Sequence, residues 1–227
     1  MKKSYLFTLI SLLMLSQFTF AQVDLYDIGT IQKIEIFFLQ SNWDYQLDTA
    51  KAGADGYIMA SQVKVNGVNF DSVGVKYKGN SSYSVASNKN PFNISLDEYK
   101  NQDYLGHSTI KLSNCYQDPS MLREVLAYNI LKSYMDCPKS NFAQVYVNGN
   151  YIGLYTNDEN IGNTFLGAKF NSTNGTQFKC NPIITPSPTT RCNLKYINTD
   201  SSSYFNYYEL KSPNGWNELV RLCDTVT

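Results

Sequence analysis

Several residues of this chain have the types and the spacing needed to hold a phosphorylated ligand. Residues 78–82 read Lys-Gly-Asn-Ser-Ser, a small-residue loop whose backbone N–H groups could cover phosphate oxygens. Lys111 lies in a predicted strand and could neutralise phosphate charge, and Glu124 on a predicted helix could hold that lysine in place. Glu159 ends a predicted hairpin where a hinge towards a nucleotide base would begin. The candidate ligand-binding residues are Lys78, Gly79, Asn80, Ser81, Ser82, Lys111, Glu124 and Glu159.

Each of these residues also has an ordinary structural explanation. Residues 79–82 are typical of a surface turn, and Lys111 could be an edge lysine that extends its ammonium group to solvent. Glu124 could be an exposed first-turn carboxylate that the helix dipole favours. Only the order of the surrounding elements favours the joint interpretation as a ligand site.

Alternating and β-branched residues predict several strands. The clearest hairpin signal is Asn66-Gly67 within residues 58–70, because both positions of such a turn need a positive φ. Asn148-Gly149 predicts a second hairpin over residues 142–155. The other predicted strands before the central helix are residues 31–39, 73–77, 91–96 and 109–112.

The helix after the lysine strand has strong start and stop signals. Asp118 is a good N-cap, and Pro119 suits the first helical position. The helical pattern lasts until Met135, and Cys137-Pro138 ends it. The predicted apolar stripe of this helix consists of Met121, Leu122, Val125, Leu126, Ile130 and Leu131.

Outside this central part the signals are weaker. Three prolines predict a surface loop at residues 182–190. The remaining candidate elements are a strand at 177–179 and short helices at 42–55, 161–170 and 214–223.

The order of elements predicts an α+β fold. A strand, a small-residue loop, two strands with a lysine in the second, a capped helix and a hairpin match the N-terminal lobe of a kinase-like fold. We expect an antiparallel sheet with hairpins and one packed helix, and then the start of a C-terminal lobe. The predicted domains are a signal peptide at 1–21, an N-terminal β extension at 22–70, the nucleotide-binding lobe at 71–160 and the start of the C-terminal lobe at 161–227.

The first residues have the composition of a secretory signal peptide. Lys2 and Lys3 precede an apolar run that is short for a bilayer span, and Ala21 is a suitable cleavage site, with a membrane anchor as the alternative. No later stretch approaches the length of a membrane span. We therefore expect a secreted or extracytoplasmic protein, in the periplasm or at the cell surface. The formal net charge of zero gives no electrostatic reason to bind nucleic acid.

The five cysteines suit an exported chain, in which disulfides can persist. Cys180 and Cys192 flank the proline-rich loop and are the favoured pair. Cys115 and Cys137 lie at the two ends of the predicted helix region, which would hold them too far apart for a bridge. The odd count leaves a free thiol or a partner outside this chain. Without a CxxC motif or a histidine cluster, no zinc site is predicted.

Most common hydrolase chemistries have no support in the sequence. A Ser or Cys catalytic triad would need the single histidine, His107, as its base. His107 lies in a predicted turn, where a solvated histidine is the ordinary interpretation. No G-x-S-x-G, P-loop or H-E-x-x-H motif occurs, and the scattered carboxylates cannot be paired as a glycosidase requires. Nucleotide binding is therefore the chemistry that these residues support best.

Four groups of motifs occur in order between residues 73 and 179. They are Lys-Gly-Asn-Ser-Ser at 78–82, Lys-Asn-Pro-Phe-Asn-Ile-Ser-Leu at 89–96, Lys-Leu-Ser-Asn at 111–114 with Asp-Pro-Ser-Met-Leu-Arg-Glu at 118–124, and Val-Tyr-Val-Asn-Gly-Asn-Tyr-Ile-Gly-Leu-Tyr at 145–155 followed by Glu159. Together they resemble the spore-coat protein H (CotH) kinase family. The motif sequences are similar to those of its secreted bacterial members.

This resemblance implies an atypical, extracytoplasmic protein kinase. Such an enzyme uses ATP and a divalent metal, Mg²⁺ or Mn²⁺, to phosphorylate Ser or Thr of secreted, surface or coat proteins. Lys78 stands where the family commonly has Arg, a change that keeps the charge but loses the bidentate fork. The family's catalytic Asp and its Trp-Asp-x-Asp metal site are expected downstream of Thr227. We therefore assign no catalytic or metal-binding residue to this chain, and we expect it to be incomplete and inactive alone.

A non-catalytic secreted binding or adhesion module on the same scaffold is the alternative function. The stretch from Asn193 onward is rich in Tyr, Asn and Ser, which antibody paratopes also use for contact. An Asp-bearing loop and a Trp-Asp-x-Asp motif encoded after Thr227 would favour the kinase. A stop codon there would favour the binding module or a decayed gene.

Overall fold

The computed structural model of the chain describes residues 23–181 and 192–227. These residues form two compact units, with the boundary between Phe165 and Leu166. The signal peptide predicted for residues 1–21 and the proline-rich loop predicted for residues 182–190 lie outside the described residues.

The first unit is built around a closed seven-stranded barrel. The strands follow the order β1-β2-β3-β4-β5-β7-β6, and a parallel pairing of β1 with β6 closes the ring. All other neighbouring strands are antiparallel. The strands are β1 (Gln32–Phe37), β2 (Ile58–Val65), β3 (Val68–Tyr77), β4 (Phe92–Ser95), β5 (Thr109–Ser113), β6 (Ser140–Val147) and β7 (Asn150–Asp158).

The α+β class is confirmed, but the sheet differs from the antiparallel sheet that we predicted. It is a closed barrel, and one of its pairings is parallel. Strands β1 and β6 are distant in sequence, so no local turn signal predicts their pairing. The barrel unit also carries helix α1 (Trp43–Ala52) between β1 and β2, and helix α2 (Arg123–Leu131) between β5 and β6.

Both predicted Asn-Gly turns are present and fasten strand β1. Asn66 and Asn148 have φ values of 51° and 47°, and the glycine after each also has a positive φ. The Asn66 side chain accepts the Lys33 N–H at 2.9 Å, and the Asn148 side chain accepts the Phe38 N–H at 2.8 Å. The two hairpins thus hold β1 between β2 and β6.

The barrel interior is filled by alternate residues of its strands. The period of two that places one side chain inside and the next outside explains this pattern. Phe92 packs between Tyr77 and Tyr155, with ring centroids 5.2 and 5.9 Å away. The fully buried aliphatic residues include Ile34, Ile36, Val63, Val65, Val73, Val75, Ile94, Ile110, Leu112 and Val145.

Helix α2 begins later than the sequence predicted and packs less tightly. The Asp118 carboxylate first closes a turn on the Ser120 N–H and then accepts the Arg123 N–H, where the helix begins. Met121 between them has a φ of 57°, which no helical residue adopts. Val125 is the one residue of the predicted apolar stripe that is buried. The exposed residues of that stripe are Leu122, Leu126, Ile130 and Leu131.

The second unit has a small core of its own. It begins within helix α3 (Asn163–Phe170) and contains helix α4 (Trp216–Val226) and a two-stranded antiparallel sheet of β8 (Phe178–Cys180) and β9 (Tyr208–Leu210). Two tyrosines of the Tyr/Asn/Ser-rich stretch, Tyr204 and Tyr208, are buried in this core rather than displayed. None of the described helices has the length and apolar character of a membrane span.

Candidate functional site

A polar cluster covers the outer face of the barrel where β5, β7 and β6 adjoin. Since Ile110 and Leu112 of β5 point into the core, Ser113 points outward. In the strand register Ser113 is paired with Thr156, and Ser140 is paired with Asp158. These four side chains therefore share one face of the sheet.

Asp158 is the centre of this cluster. Its side chain is largely buried, and it accepts the Ser140 hydroxyl at 2.7 Å and the Ser113 hydroxyl at 3.0 Å. The Lys78 ammonium donates to the Ser113 hydroxyl at 2.8 Å. Ser113 thus links the lysine of the predicted loop to a carboxylate at the end of β7.

Helix α2 adds a second carboxylate to the same cluster. Thr156 donates its hydroxyl to the Glu124 carboxylate at 2.7 Å. Burial raises the pKa of Glu124, and the negative charge of Asp158 raises it further, while Thr156 and the Lys78 charge act in the opposite direction. Two carboxylates are therefore held close together at a cost that Lys78 reduces.

Burial and nearby charge also have opposite effects on the pKa of Lys78. Burial lowers the pKa of its ammonium group, whereas the charges of Asp158 and Glu124 raise it. A lysine held between two carboxylates in a partly dry environment can neutralise an incoming anion at short range. Such opposed burial and charge effects are common at functional sites.

The loop after Lys78 is held in a defined conformation. Gly79 has a φ of 83°, and a Cβ at this position would collide with the Ser82 side chain and lie 3.1 Å from Pro91. Asn114 donates to the carbonyls of Ser82 and Lys89, both at 2.9 Å. The loop thus comes close to β5 at two points, and its glycine is required by space as well as by φ.

Helix α1 also anchors this loop. Tyr83, the residue after the predicted phosphate loop, donates its hydroxyl to Asp48 of α1 at 2.8 Å. Its neighbour across the ring contact, Tyr77, donates to Asp44 of the same helix. Desolvation and, next, the hydrogen bond to Asp48 raise the pKa of Tyr83 to about 12.

A cavity of about 450 Å³ opens beside the cluster, between the loop and helix α2. Its wall includes two hydroxyl groups of the cluster, the Glu124 carboxylate and the guanidinium-bearing Arg123. The residues that line it are Ser82, Ser113, Asn114, Cys115, Tyr116, Gln117, Asp118, Arg123, Glu124 and Thr156.

The structure brings some of the predicted site residues together. Ser82 and Glu124 line the cavity, and Lys78 donates to Ser113, which lines it as well. Lys111 lies directly opposite Asp158 in the β5–β7 register, so it is next to the cluster. Gly79 shapes the loop, and Asn80 and Ser81 are exposed at its tip.

Glu159 lies at the end of β7 but has a different setting. Its carboxylate accepts the Lys139 N–H at 3.0 Å, and its own N–H donates to the Lys139 carbonyl at 2.9 Å. These bonds tie the start of β6 to the end of β7. Glu159 therefore serves the sheet in this structure, and its role at a nucleotide hinge remains a prediction.

Four residues of the cluster were missed from the sequence: Ser113, Ser140, Thr156 and Asp158. Thr156 and Asp158 alternate on β7 just before Glu159, and Ser113 is two residues after Lys111, so the period of two placed them on shared faces. That signal becomes useful only when the pairing of β5 with β7 is known.

The described residues do not by themselves form a metal site. Within residues 23–181 and 192–227, no group of three or more His, Cys, Asp or Glu side chains is placed to hold a metal ion. Glu124 and Asp158 supply two carboxylates, and Lys78 occupies the position beside them.

Comparison with known proteins gives one family. The model of the family described as CotH kinase protein matches residues 75–227, which is more than half of the chain. The match includes the loop, the cluster and the second unit. No curated protein matches the chain.

Proposed function

Since the chain belongs to the CotH kinase family, we propose that its barrel unit binds the phosphates of ATP for transfer to a protein hydroxyl group. The family match supports the reaction class, and the charged cluster beside the cavity supports the location. The acceptor that we propose is a Ser or Thr of a secreted or surface protein, in keeping with the predicted signal peptide.

One observation carries this proposal: the placement of the Lys78 ammonium. It is partly buried, it is linked through Ser113 to Asp158, and the negative charge of Glu124 acts on it. An ammonium group that only stabilised the fold would gain little from being buried beside a cavity. An anionic ligand in the cavity would supply the charge partner that this arrangement favours.

The geometry of the loop supports the same use. Gly79 packs against Ser82 and Pro91 at a positive φ, which fixes the shape of the loop at this point. Asn114 and Tyr83 hold the loop from two sides. The backbone N–H groups of residues 79–82 would then hold phosphate oxygens without a large loss of loop entropy on binding.

The residues of this chain would act by positioning and charge neutralisation. Bound ATP supplies the phosphoryl group. Lys78 would donate to a phosphate oxygen in place of Ser113, and Lys111 would add a second positive charge on the same face. Glu124 and Asp158 would keep Lys78 oriented, with Thr156 and Ser113 holding these carboxylates in turn.

Replacing Lys78 by Met tests the location of the site. We expect the dissociation constant for ATP, measured by isothermal titration calorimetry, to rise by about 10-fold or more, since a charge-assisted hydrogen bond contributes roughly 1.5–3 kcal/mol. Lys100→Met is the matched control, because Lys100 is an exposed lysine. Its ammonium group contacts the exposed Asp71 carboxylate in an ion pair, with an N–O distance of 3.8 Å. The ATP affinity of this variant should equal that of the unaltered protein.

Lys111→Met should also weaken ATP binding. In an autophosphorylating form of the protein, either lysine substitution should abolish phosphate transfer from radiolabelled ATP. Equal ATP affinity of the Lys78 variant, the Lys111 variant and the unaltered protein would overturn the assignment. Circular dichroism spectra of the variants should match that of the parent, which separates a lost contact from a lost fold.

A further inference from the structure

Two cysteines of the second unit come together at the end of the β8–β9 ladder. Cys180 ends β8 and is paired with Tyr208 of β9. The Asn181 N–H donates to the Tyr207 carbonyl at 3.0 Å, and the Cys192 thiol donates to that same carbonyl. Both cysteines are therefore held beside one peptide group, although residues 181–191 lie between them in the chain.

The segment after Cys192 is fastened to two other elements. The Leu194 N–H donates to the Tyr208 hydroxyl at 2.9 Å. The Thr227 hydroxyl, at the end of α4, accepts the Tyr196 N–H at 3.0 Å. Because β9 and the end of α4 both hold this segment, folding already brings the two thiols together. Disulfide formation in the folded protein therefore requires little further loss of chain entropy.

The two thiols differ in exposure. Cys180 is exposed, whereas Cys192 is partly buried. Burial and the neighbouring Cys180 thiol raise the pKa of Cys192, an effect that requires the two sulfur atoms to be close. The third cysteine of this unit, Cys223, is fully buried in α4, and burial raises the pKa of its thiol.

We propose that Cys180 and Cys192 form a disulfide bond that closes a covalent ring through residues 181–191. All five cysteines carry thiols in the structure, so the bond requires an oxidant. A small-molecule disulfide such as oxidised glutathione supplies the oxidising equivalents. This inference is independent of the proposed nucleotide site, which lies in the first unit.

The exchange has two steps. The Cys180 thiolate attacks one sulfur of the oxidant, whose S–S bond breaks and releases one glutathione thiolate, leaving a mixed disulfide on Cys180. The Cys192 thiolate then attacks the Cys180 sulfur and releases the second glutathione thiolate. The two cysteine protons pass to these two thiolates, and the two electrons lost by the protein reduce the oxidant.

Exposure assigns these roles. Cys180 is accessible to a solvent-borne disulfide, while Cys192 is partly buried and therefore reacts second. Cys223 stays a thiol because the core of the unit shields it. The ring would restrict the unfolded chain and stabilise the second unit.

Peptide mapping tests the bond directly. The whole reduced protein is treated with oxidised glutathione, blocked with iodoacetamide and digested with trypsin without reduction. Trypsin cleaves after Lys179, Arg191 and Lys195, so residues 180–191 and 192–195 become separate peptides unless a disulfide joins them. We expect the joined pair, two hydrogen masses lighter than the two thiol peptides, and alkylated Cys115, Cys137 and Cys223.

Three variants sharpen the result. Cys192→Ser should retain glutathione on Cys180, because the second step is lost. Cys223→Ser should give the same joined peptides as the unaltered protein. Oxidation should raise the thermal midpoint of the second unit by roughly 5 °C in the unaltered protein and leave it unchanged in Cys180→Ser.

Other peptide patterns would overturn the proposal. These are alkylation of both Cys180 and Cys192 after oxidation, glutathione that persists on Cys180 of the unaltered protein, and a link that joins Cys192 to Cys223. Each pattern would show that the two thiols beside the Tyr207 carbonyl are not a disulfide-forming pair.

Discussion

The two faces of strand β7 use buried polar groups in opposite ways. Its inward-facing Asn157 donates to the Leu25 carbonyl and to the Asn141 side chain, both at 2.9 Å. Its outward-facing Asp158 accepts from two serine hydroxyls and lies beside a second carboxylate, that of Glu124. Both side chains are nearly inaccessible to solvent. The inner one is neutral and the outer one is charged.

This difference separates stability from function within one strand. Neutral amides that bond fixed carbonyls gain a modest stabilisation and leave no charge to be compensated. Charged groups that share a buried site with a like charge oppose the fold, and they persist where a ligand or a reaction uses them. The inner face of β7 should therefore control stability, and the outer face should control binding and pH dependence.

The largest effect is expected on the inner face. Asn157→Ala removes the donor to two buried acceptors, the Leu25 carbonyl and the Asn141 side chain. We expect the free energy of unfolding to fall by about 2–4 kcal/mol, measured by urea denaturation. ATP affinity of the folded variant should not change, because the amide does not reach the outer face.

Asn150→Ala is the matched control for this change. Asn150 begins the same strand but is exposed, so its loss should change the unfolding free energy by less than about 0.5 kcal/mol. If the Asn157 variant were no less stable than this control, or if it bound ATP more weakly, the division between the two faces would be wrong.

A smaller effect of opposite sign is expected at Glu124. Because the pKa of this carboxyl is raised in the folded state, the folded protein binds more protons than the unfolded chain at pH values just above 4.5, the ordinary value for Glu. Stability then falls as the pH rises through this range. Glu124→Gln removes the penalty and keeps an acceptor for Thr156. We expect it to be more stable at pH 7, by under about 1 kcal/mol after allowance for solvent screening.

Urea denaturation at several pH values checks this sign. The stability gain of Glu124→Gln should be near zero at pH 4 and should grow towards pH 7. The exposed carboxyl of Glu98 provides the control, and Glu98→Gln should show no such trend. Parallel pH profiles for Glu124→Gln and the unaltered protein would show that Glu124 carries no such penalty.

The elements that depend on local chemistry were predictable from the sequence. Asn66-Gly67 and Asn148-Gly149 fix their own turn conformations, so both hairpins were located correctly. Closure of the barrel was not predictable, because the β1–β6 pairing joins segments far apart in the chain. The start of α2 was wrong because the Asp118 side chain bonds a local turn before it reaches the helix.

The candidate site divides in the same way. Lys78 and Glu124 were named because a lysine at the head of a small-residue loop and a helix carboxylate have a recognisable chemistry. Ser113, Thr156 and Asp158 are ordinary strand residues in the sequence. Only the register of β5 against β7 makes them neighbours, and that register is set by long-range packing.

The smallest effect is expected from Thr156, which belongs to the outer face through its hydroxyl group alone. Thr156→Val keeps the shape of the side chain and removes the donor to Glu124. That bond lowers the pKa of Glu124, so its loss should raise this pKa further and steepen the fall of stability with rising pH. In a double-mutant cycle, Thr156→Val and Glu124→Gln should show a coupling energy of roughly 0.5 kcal/mol at pH 7.

A second cycle shows whether this coupling is local. Thr109 lies on the outer face of β5 at its opposite end, and Thr109→Val combined with Glu124→Gln should be additive. Additivity in both cycles would mean that Thr156 does not orient Glu124. The Thr156 hydroxyl on the outer face of β7 would then be a separate contact rather than part of a connected charged cluster.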